Sequence, residues 1–235
     1  MLPKIATPKY DMIVPSTGKS ITYRPYVVKE EKILLIALES QSDEAMENAV
    51  IDIIKQCVET PINTDTLTTF DIEFMFINLR SKSVGEGIKV APPCQHCEEV
   101  NEDIKVDLDK VIVKGLEEDV DMQVKITDDI SVDVAWPTMK NKLTEAEMKT
   151  GTDTLINMVA RSIGTIYNGV ETFSASDSSK KELLEFVESL GSDQFNALLT
   201  KVSEAPQLGY DLEFKCKACG EDNKLELKGL SDFFQ

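Results

Sequence analysis

Two short cysteine pairs are the residues of this chain whose type and spacing could do chemistry. Cys94 and Cys97 form the first pair, Cys216 and Cys219 form the second, and each pair encloses two residues. This spacing lets two thiolates on one tight turn bind a single metal ion, and four thiolates fill the tetrahedron of a structural zinc site. The pairs lie 119 positions apart. The sequence therefore predicts that the two turns meet around one ion and that the segment between them is a closed loop or insert.

The ligand set predicts the kind of ion as well as its place. Zinc is the expected occupant, and iron is the alternative because an iron centre with four thiolates uses the same ligands. A further alternative is that each pair is an independent redox dithiol. Thioredoxin-like pairs open a helix, whereas strands are predicted to follow both pairs here, which disfavours that reading. His96 lies inside the first turn and is expected to point outward, so four sulfurs close the coordination sphere and the ion is predicted to be structural.

The sequence contains few other residues that could carry out catalysis. The chain has one histidine, so schemes that pair a nucleophile with histidine have only His96, which sits inside the metal turn. The 42 acidic residues are spread along the chain without a recognisable local arrangement, and a solvated surface explains them. The sequence also lacks a glycine-rich dinucleotide loop. We therefore expect a protein without catalytic or organic-cofactor residues, and not an enzyme.

Composition and charge narrow the classes of partner. The chain has 235 residues, 42% of them hydrophobic, and a formal net charge of −17. This charge disfavours nucleic acid and anionic membrane surfaces, which attract basic proteins. No apolar run approaches the roughly 20 residues of a membrane span, and the first residues lack the apolar core of a signal peptide. Five cysteines, two pairs and Cys57, fit a reducing compartment in which thiols bind metal.

Residues 1–84 are predicted to form a hairpin followed by helices. Alternating apolar residues over 9–26 surround a Pro-Ser-Thr-Gly turn, which is typical of a β-hairpin. Helical periodicity follows over 29–39 and over 43–59, and Cys57 falls in the buried stripe of the second helix. A third helix over 65–81 is apolar nearly all round, so it is expected to be a core helix or to be covered by a partner subunit.

The two cysteine turns have the same setting, a strand before and a strand after. Residues 85–109 and 208–235 are therefore predicted to form one split zinc-ribbon-like element. Residues 110–207 are the insert, with a hairpin over 120–126 and 130–136 and helical stripes in its second half. One helical stripe runs from Leu155 to Ile163, Asn168-Gly169 marks a turn or short hairpin, and Ser192 is expected to cap the last helix. Capping boxes are predicted at Thr144 with Glu147 and at Ser179 with Glu182. The fold class is α+β.

Short sequence words along most of the chain resemble a known family, the small baseplate hub and hub-assembly proteins of T-even-like contractile-tailed bacteriophages. The words are Leu2-Pro3-Lys4-Ile5, Pro8, Tyr23-Arg24-Pro25-Tyr26, Val28-Lys29-Glu30-Glu31-Lys32, and the stretch from Glu182-Leu183-Leu184-Glu185-Phe186 to Phe195. The resemblance implies a virion protein of the tail baseplate, made in the host cytoplasm, whose partners are hub subunits, the tail tube or the tape measure. It implies no reaction. The zinc prediction comes from the cysteines and not from the resemblance.

Three other functions remain open from the sequence. A zinc-ribbon adaptor of a transcription or translation machine would fit the cysteines, although such ribbons usually offer a basic face and acidic residues flank both turns here. A transient tail-assembly chaperone, absent from the mature virion, would fit the resemblance equally well. A thiol-disulfide enzyme would require Cys94 and Cys97 to cycle between oxidised and reduced forms.

Overall fold

The computed structural model describes residues 5–116, 121–143 and 151–233. Its chain divides into two compact units, one formed by Met1–Lys114 with Pro206–Gln235 and the other by Gly115–Ala205. Each unit contains helices and antiparallel strands, so the predicted α+β class is confirmed. No helix among the described residues is long and apolar enough to cross a membrane.

Eleven strands and six α-helices follow one another in the described part of the chain. In order they are β1 (Tyr10–Ile13), β2 (Ser20–Tyr23), α1 (Val28–Ser40), α2 (Asp43–Cys57), α3 (Thr69–Val84), β3 (Gly87–Val90), β4 (Ile104–Asp107), β5 (Ile112–Lys114), β6 (Gln123–Lys125), β7 (Ile130–Val134), α4 (Gly151–Arg161), β8 (Ile163–Asn168), β9 (Glu171–Ser174), α5 (Lys180–Glu188), α6 (Ser192–Ser203), β10 (Gln207–Lys215) and β11 (Asp222–Lys228).

Three small sheets lie in the described residues of the first unit. Strands β1 and β2 form the predicted N-terminal hairpin, β3 pairs with β4, and β10 lies between β11 and β5. Helix α3 is buried along most of its length, and its Ile77 joins an apolar cluster with side chains from β3, β4, β10 and β11. The prediction that this apolar helix belongs to the core is confirmed.

A buried carboxylate fastens the N-terminal hairpin to α3. Asp71, in the first turn of the helix, accepts hydrogen bonds from the backbone N–H and the hydroxyl of Ser16 at 2.9 and 2.6 Å. The same carboxylate accepts from the N–H and hydroxyl of Thr68, the residue that caps the helix. These contacts satisfy a carboxylate that is fully buried, and they fix the hairpin turn against the helix.

The described residues of the second unit form one antiparallel sheet and three α-helices. The strand order is β6-β7-β8-β9, and the predicted hairpin of β6 with β7 is present, with Val124 opposite Val132. Residues from β7, α4, α5 and α6 form the core, in which Val132 and Leu198 are fully buried. Ser179 and Glu182 form the predicted capping box of α5. The box predicted at Thr144 and Glu147 lies outside the described residues.

Two local predictions in this unit are wrong. Helix α4 ends at Arg161, and Ile163 begins β8 instead of extending the helix. Because Ile163 is buried in the same core as Val159, its position satisfies the helical spacing without being helical. The cap of α6 is Gly191, whose N–H donates to the Gln194 side chain at 2.8 Å, and Ser192 is the first residue of the helix.

Candidate metal centre

Each of the two cysteine turns connects two antiparallel strands. The first turn, residues 94–97, lies between β3 and β4, and the second, residues 216–219, lies between β10 and β11. The strand–turn–strand setting predicted for both pairs is therefore confirmed. All four strands belong to the first unit, and their apolar faces share one core cluster.

The two turns have the same backbone hydrogen bonds. The Cys94 N–H donates to the Glu99 carbonyl at 2.9 Å, and the Glu98 N–H donates back to the Cys94 carbonyl at 3.0 Å. In the second turn, Cys216 bonds to Glu221 at 2.9 Å and Gly220 bonds back to Cys216 at 3.0 Å. The turns are therefore two copies of one local structure.

The residue that follows each pair adopts a left-handed backbone conformation. Glu98 has a φ of 60° and Gly220, at the equivalent position, has a φ of 76°. This conformation turns the N–H back toward the first cysteine, and glycine adopts it at little cost while glutamate pays a steric penalty. The need for this left-handed conformation explains why glycine occupies the position in the second turn.

The four cysteine sulfurs converge on one point. Cys94 Sγ lies 3.7 Å from Cys219 Sγ, Cys97 Sγ lies 3.7 Å from Cys216 Sγ, and all four sulfurs lie within 4.8 Å of one another. A tetrahedron with Zn–S bonds of about 2.3 Å has sulfur–sulfur edges of about 3.8 Å. A disulfide would require about 2.05 Å, and all the cysteines are free. The spacing of the sulfurs therefore fits a tetrahedral metal cage and does not fit a pair of disulfides.

The first cysteine of each turn is prepared to carry negative charge. The pKa of the Cys216 thiol falls to about 6 because backbone N–H groups of Cys219 and Ala218 donate to its sulfur, with help from Asn101. Burial raises the pKa of Cys94, but the N–H groups of His96 and Cys97 outweigh it and lower the pKa overall. Thiolates are the form in which cysteine binds metal, so these hydrogen bonds favour the ligating form of the first cysteine in each turn.

The second cysteine of each turn keeps its proton more firmly in the absence of a cation. An N–H bond from Glu221 lowers the pKa of Cys219, but burial and the neighbouring thiols outweigh it and raise the pKa to about 12. The Glu99 N–H likewise lowers the pKa of Cys97, and burial with the thiols of Cys94 and Cys216 raises it overall. Four like groups cannot all ionise at this distance unless a cation neutralises them.

The remaining thiol and the histidine lie outside the cluster. Cys57 is fully buried in α2, as predicted, and burial raises the pKa of its thiol to about 11. His96 is exposed, as predicted for a residue between two inward-facing sulfurs. The cluster of candidate ligands among the described residues is thus made of four sulfurs alone.

Two buried asparagines beside the cluster were not singled out from the sequence. Asn101 and Asn223 are each 1% exposed, and each follows the first cysteine of its turn by seven residues. The signal was present, because both halves read Cys-x-x-Cys-x-Glu-x-Asn, in residues 94–101 and 216–223. An internal repeat of eight residues is easily missed when the two copies are separated by more than a hundred positions.

Comparison with known proteins places the chain in a family. No curated protein and no solved structure matches it. A family model described as T4 bacteriophage base plate protein matches residues 7–235, which is nearly the whole chain. The chain therefore belongs to the T4 bacteriophage base plate protein family.

Proposed function

We propose that this protein is a non-enzymatic structural or assembly component of the central hub of a phage tail baseplate, acting through protein–protein contacts. The observation that carries the proposal is the family match over residues 7–235. The narrower assignment to the hub rests on the short sequence words that resemble hub proteins. The proposed location is the virion tail, after synthesis in the host cytoplasm.

The proposed ligands of a structural ion are Cys94, Cys97, Cys216 and Cys219, with zinc as the occupant and iron as the alternative. The sulfur spacing supports this assignment, as does the lack of any other ligand type at the cluster among the residues that the structure describes. Four protein sulfurs leave no coordination position for a reacting water, so the ion would brace the fold and perform no reaction. It would join two hairpins that are far apart in the chain.

Metal analysis of the purified protein tests whether it binds a structural ion. Protein prepared under reducing, chelator-free conditions is expected to hold about one zinc per chain. Iron in its place would give a visible absorption band, which zinc does not. A metal-free protein that retains the native fold would remove the bracing role.

We further propose the domain organisation given by the cysteines, in which residues 1–84 carry the hairpin and helices, 85–109 and 208–235 form the split ribbon, and 110–207 are inserted in it. The compactness of Gly115–Ala205 as a unit supports the insert. The two ends of the insert would lie side by side, because β5 near its start pairs with the beginning of β10 at its end.

The proposed partners are other baseplate proteins, including hub subunits, the tail tube and the tape measure. The surface around the cysteine turns supports protein contacts over nucleic-acid contacts because it is acidic. Six exposed carboxylates surround the two turns: Glu98, Glu99, Glu102, Asp103, Glu221 and Asp222. Such a surface repels the phosphate backbone that a transcription or translation adaptor would meet.

Mass spectrometry of purified virions tests the function. The protein is expected in intact tails and in isolated baseplates, cross-linked to hub, tube or tape-measure proteins. Its absence from mature virions, together with failure of baseplate assembly when its gene is deleted, would identify a transient chaperone instead. Recovery with ribosomes or RNA polymerase and not with tails would support the adaptor and overturn the proposal.

A further inference from the structure

We infer that Asn101 and Asn223 are positioning residues of the four-cysteine site, each locking in place the cysteine turn that belongs to the other half. The inference deepens the proposed metal site and rests on it. It concerns how two turns from distant parts of the chain are held in register so that four sulfurs face one point.

The hydrogen bonds that carry the inference are crossed. Asn101 follows the first turn, and its Oδ1 accepts the N–H of Lys217 in the second turn at 2.9 Å. Asn223 follows the second turn, and its Oδ1 accepts the N–H of Gln95 in the first turn at 2.8 Å. Lys217 and Gln95 each come directly after the first cysteine of their turn. Each asparagine therefore fixes the backbone next to a metal ligand of the opposite turn.

The other end of each amide is tied to its own turn. Asn101 Nδ2 donates to the Glu99 carbonyl at 2.9 Å, and Asn223 Nδ2 donates to the Glu221 carbonyl at 3.0 Å. Glu99 and Glu221 are the residues whose carbonyls also accept from the first cysteine of each pair. Each side chain thus bridges the two turns, with its acceptor on one and its donor on the other.

The chemistry of the site requires this type of residue. A short side chain that both donates and accepts, without charge, is supplied by asparagine, while aspartate lacks the donor and leucine lacks both. The Asn101 amide nitrogen also lies 3.6 Å from Cys216 Sγ, where a donor favours a thiolate. Both asparagine side chains are buried, and removing either one takes the acceptor away from the N–H that follows the first cysteine of the opposite turn.

Hydrogen exchange measured with excess zinc present tests the crossed hydrogen bonds by a readout that is independent of zinc affinity. In Asn101→Leu the amide of Lys217 is expected to exchange faster, and in Asn223→Leu the amide of Gln95 is expected to do so. The Asn101→Asp variant keeps the acceptor and should keep Lys217 protected, which guards against a variant that simply misfolds. Val106→Ala, a buried substitution on β4 in the same core, serves as a control for general destabilisation. Loss of protection confined to the variant's own turn, or an equal loss at Lys217 and Gln95 in Val106→Ala, would overturn the crossed lock.

Zinc competition with a chromophoric chelator, and the absorption spectrum of the Co²⁺ form, test the consequence for the metal. Each leucine variant is expected to bind zinc about 10- to 100-fold more weakly, as substitutions of outer-shell residues do. The thiolate-to-cobalt charge-transfer band should shift or weaken, whereas Val106→Ala should leave both readouts unchanged.

The outcomes separate this inference from the proposed metal site. Wild-type protein that binds zinc while the asparagine variants match Val106→Ala would overturn the inference and leave the brace standing. Wild-type protein that binds no zinc or cobalt would overturn the brace and, with it, the positioning role, even if the crossed exchange pattern persisted as a clasp of the fold.

Discussion

The two units of the chain are built differently. The first has two- and three-stranded sheets joined across long sequence distances, and the four clustered cysteines all belong to it. The second is built from 91 consecutive residues, Gly115–Ala205, with one four-stranded sheet and helices that share a core, and it contains no cysteine. Small two-stranded sheets are marginal by themselves, so a unit made of them needs a further connection. The proposed metal would therefore be a requirement of the first unit alone.

Removing a ligand should have the largest effect and should fall on one unit. Cys216→Ser is expected to abolish stoichiometric zinc binding and to lower the stability of the first unit, because a structural zinc contributes on the order of 10 kcal/mol to small zinc-finger domains. Amide exchange measured along the whole chain should show lost protection in β3, β4, β10 and β11. The second unit should keep its protection.

The matched control for this experiment is Cys57→Ala, which removes a buried thiol from the same unit but not from the cluster. It should retain one zinc per chain. Equal loss of protection in both units of Cys216→Ser would contradict the comparison.

A core substitution in the second unit is the converse experiment. Leu198 is fully buried in α6, and Leu198→Ala is expected to cost about 2–5 kcal/mol through lost burial and the cavity left behind. Because the second unit has its own core, the zinc content and the cobalt spectrum should not change. Denaturant unfolding followed by NMR signals from each unit would measure this, and a coupled loss of zinc would show that the units are not independent.

The difference between the units also explains what the sequence could predict. Local signals were sufficient for the capping box of Ser179 and Glu182 and for the β6–β7 hairpin, because each depends on residues close in the chain. Convergence of the four sulfurs was predictable over a long distance since tetrahedral ligation requires it. The hydrogen bond between Ser16 and Asp71 could not be predicted, because no local pattern connects residues 55 positions apart.

The prediction of the boundary between α4 and β8 failed for a related reason. Ile163 lies in the core at a position that fits helical spacing, so burial alone could not decide its structure. Ile163 pairs with Val134, next to an irregularity in the register of β7 with β8, and this pairing makes it a strand residue. Strand pairing is a tertiary contact, and tertiary contacts override local periodicity.

The Asp71 clasp offers a test of the non-metal connections in the first unit. Asp71→Ala removes the acceptor for two donors of Ser16 and two of Thr68. The donors of Thr68 are buried, and a buried donor without a partner costs about 1–3 kcal/mol, so the free energy of unfolding should fall by that order while zinc binding is retained. Asp52→Ala, at an exposed position of α2, is the control and should change stability by less than about 0.5 kcal/mol. An Asp71→Ala protein as stable as this control would mean that the clasp contributes nothing.

A smaller effect should distinguish the same capping position in the two units. Glu30, in the first turn of α1, is 1% exposed, accepts from the Val27 N–H at 3.0 Å and pairs with Arg24 at 3.0 Å. Burial raises the pKa of this carboxyl, but the bonds from Arg24 and Val27 outweigh it and lower the pKa below the usual value of 4.5. Glu182, in the first turn of α5, is exposed, and hydrogen bonds from the side chain and backbone of Ser179 lower its pKa.

The sign of the pH dependence follows from these directions. A carboxyl whose pKa is lower in the folded state stabilises the fold above its unfolded pKa, and that stability is lost as the pH falls through the folded value. Glu30→Gln should therefore lower the melting temperature at pH 7 and flatten its decline below about pH 4.5. Glu182→Gln should change both less, because solvent screens an exposed carboxylate. Thermal unfolding from pH 7 to pH 3 measures the two profiles. Equal effects from the two substitutions would show that burial beside Arg24 adds nothing to a capping glutamate.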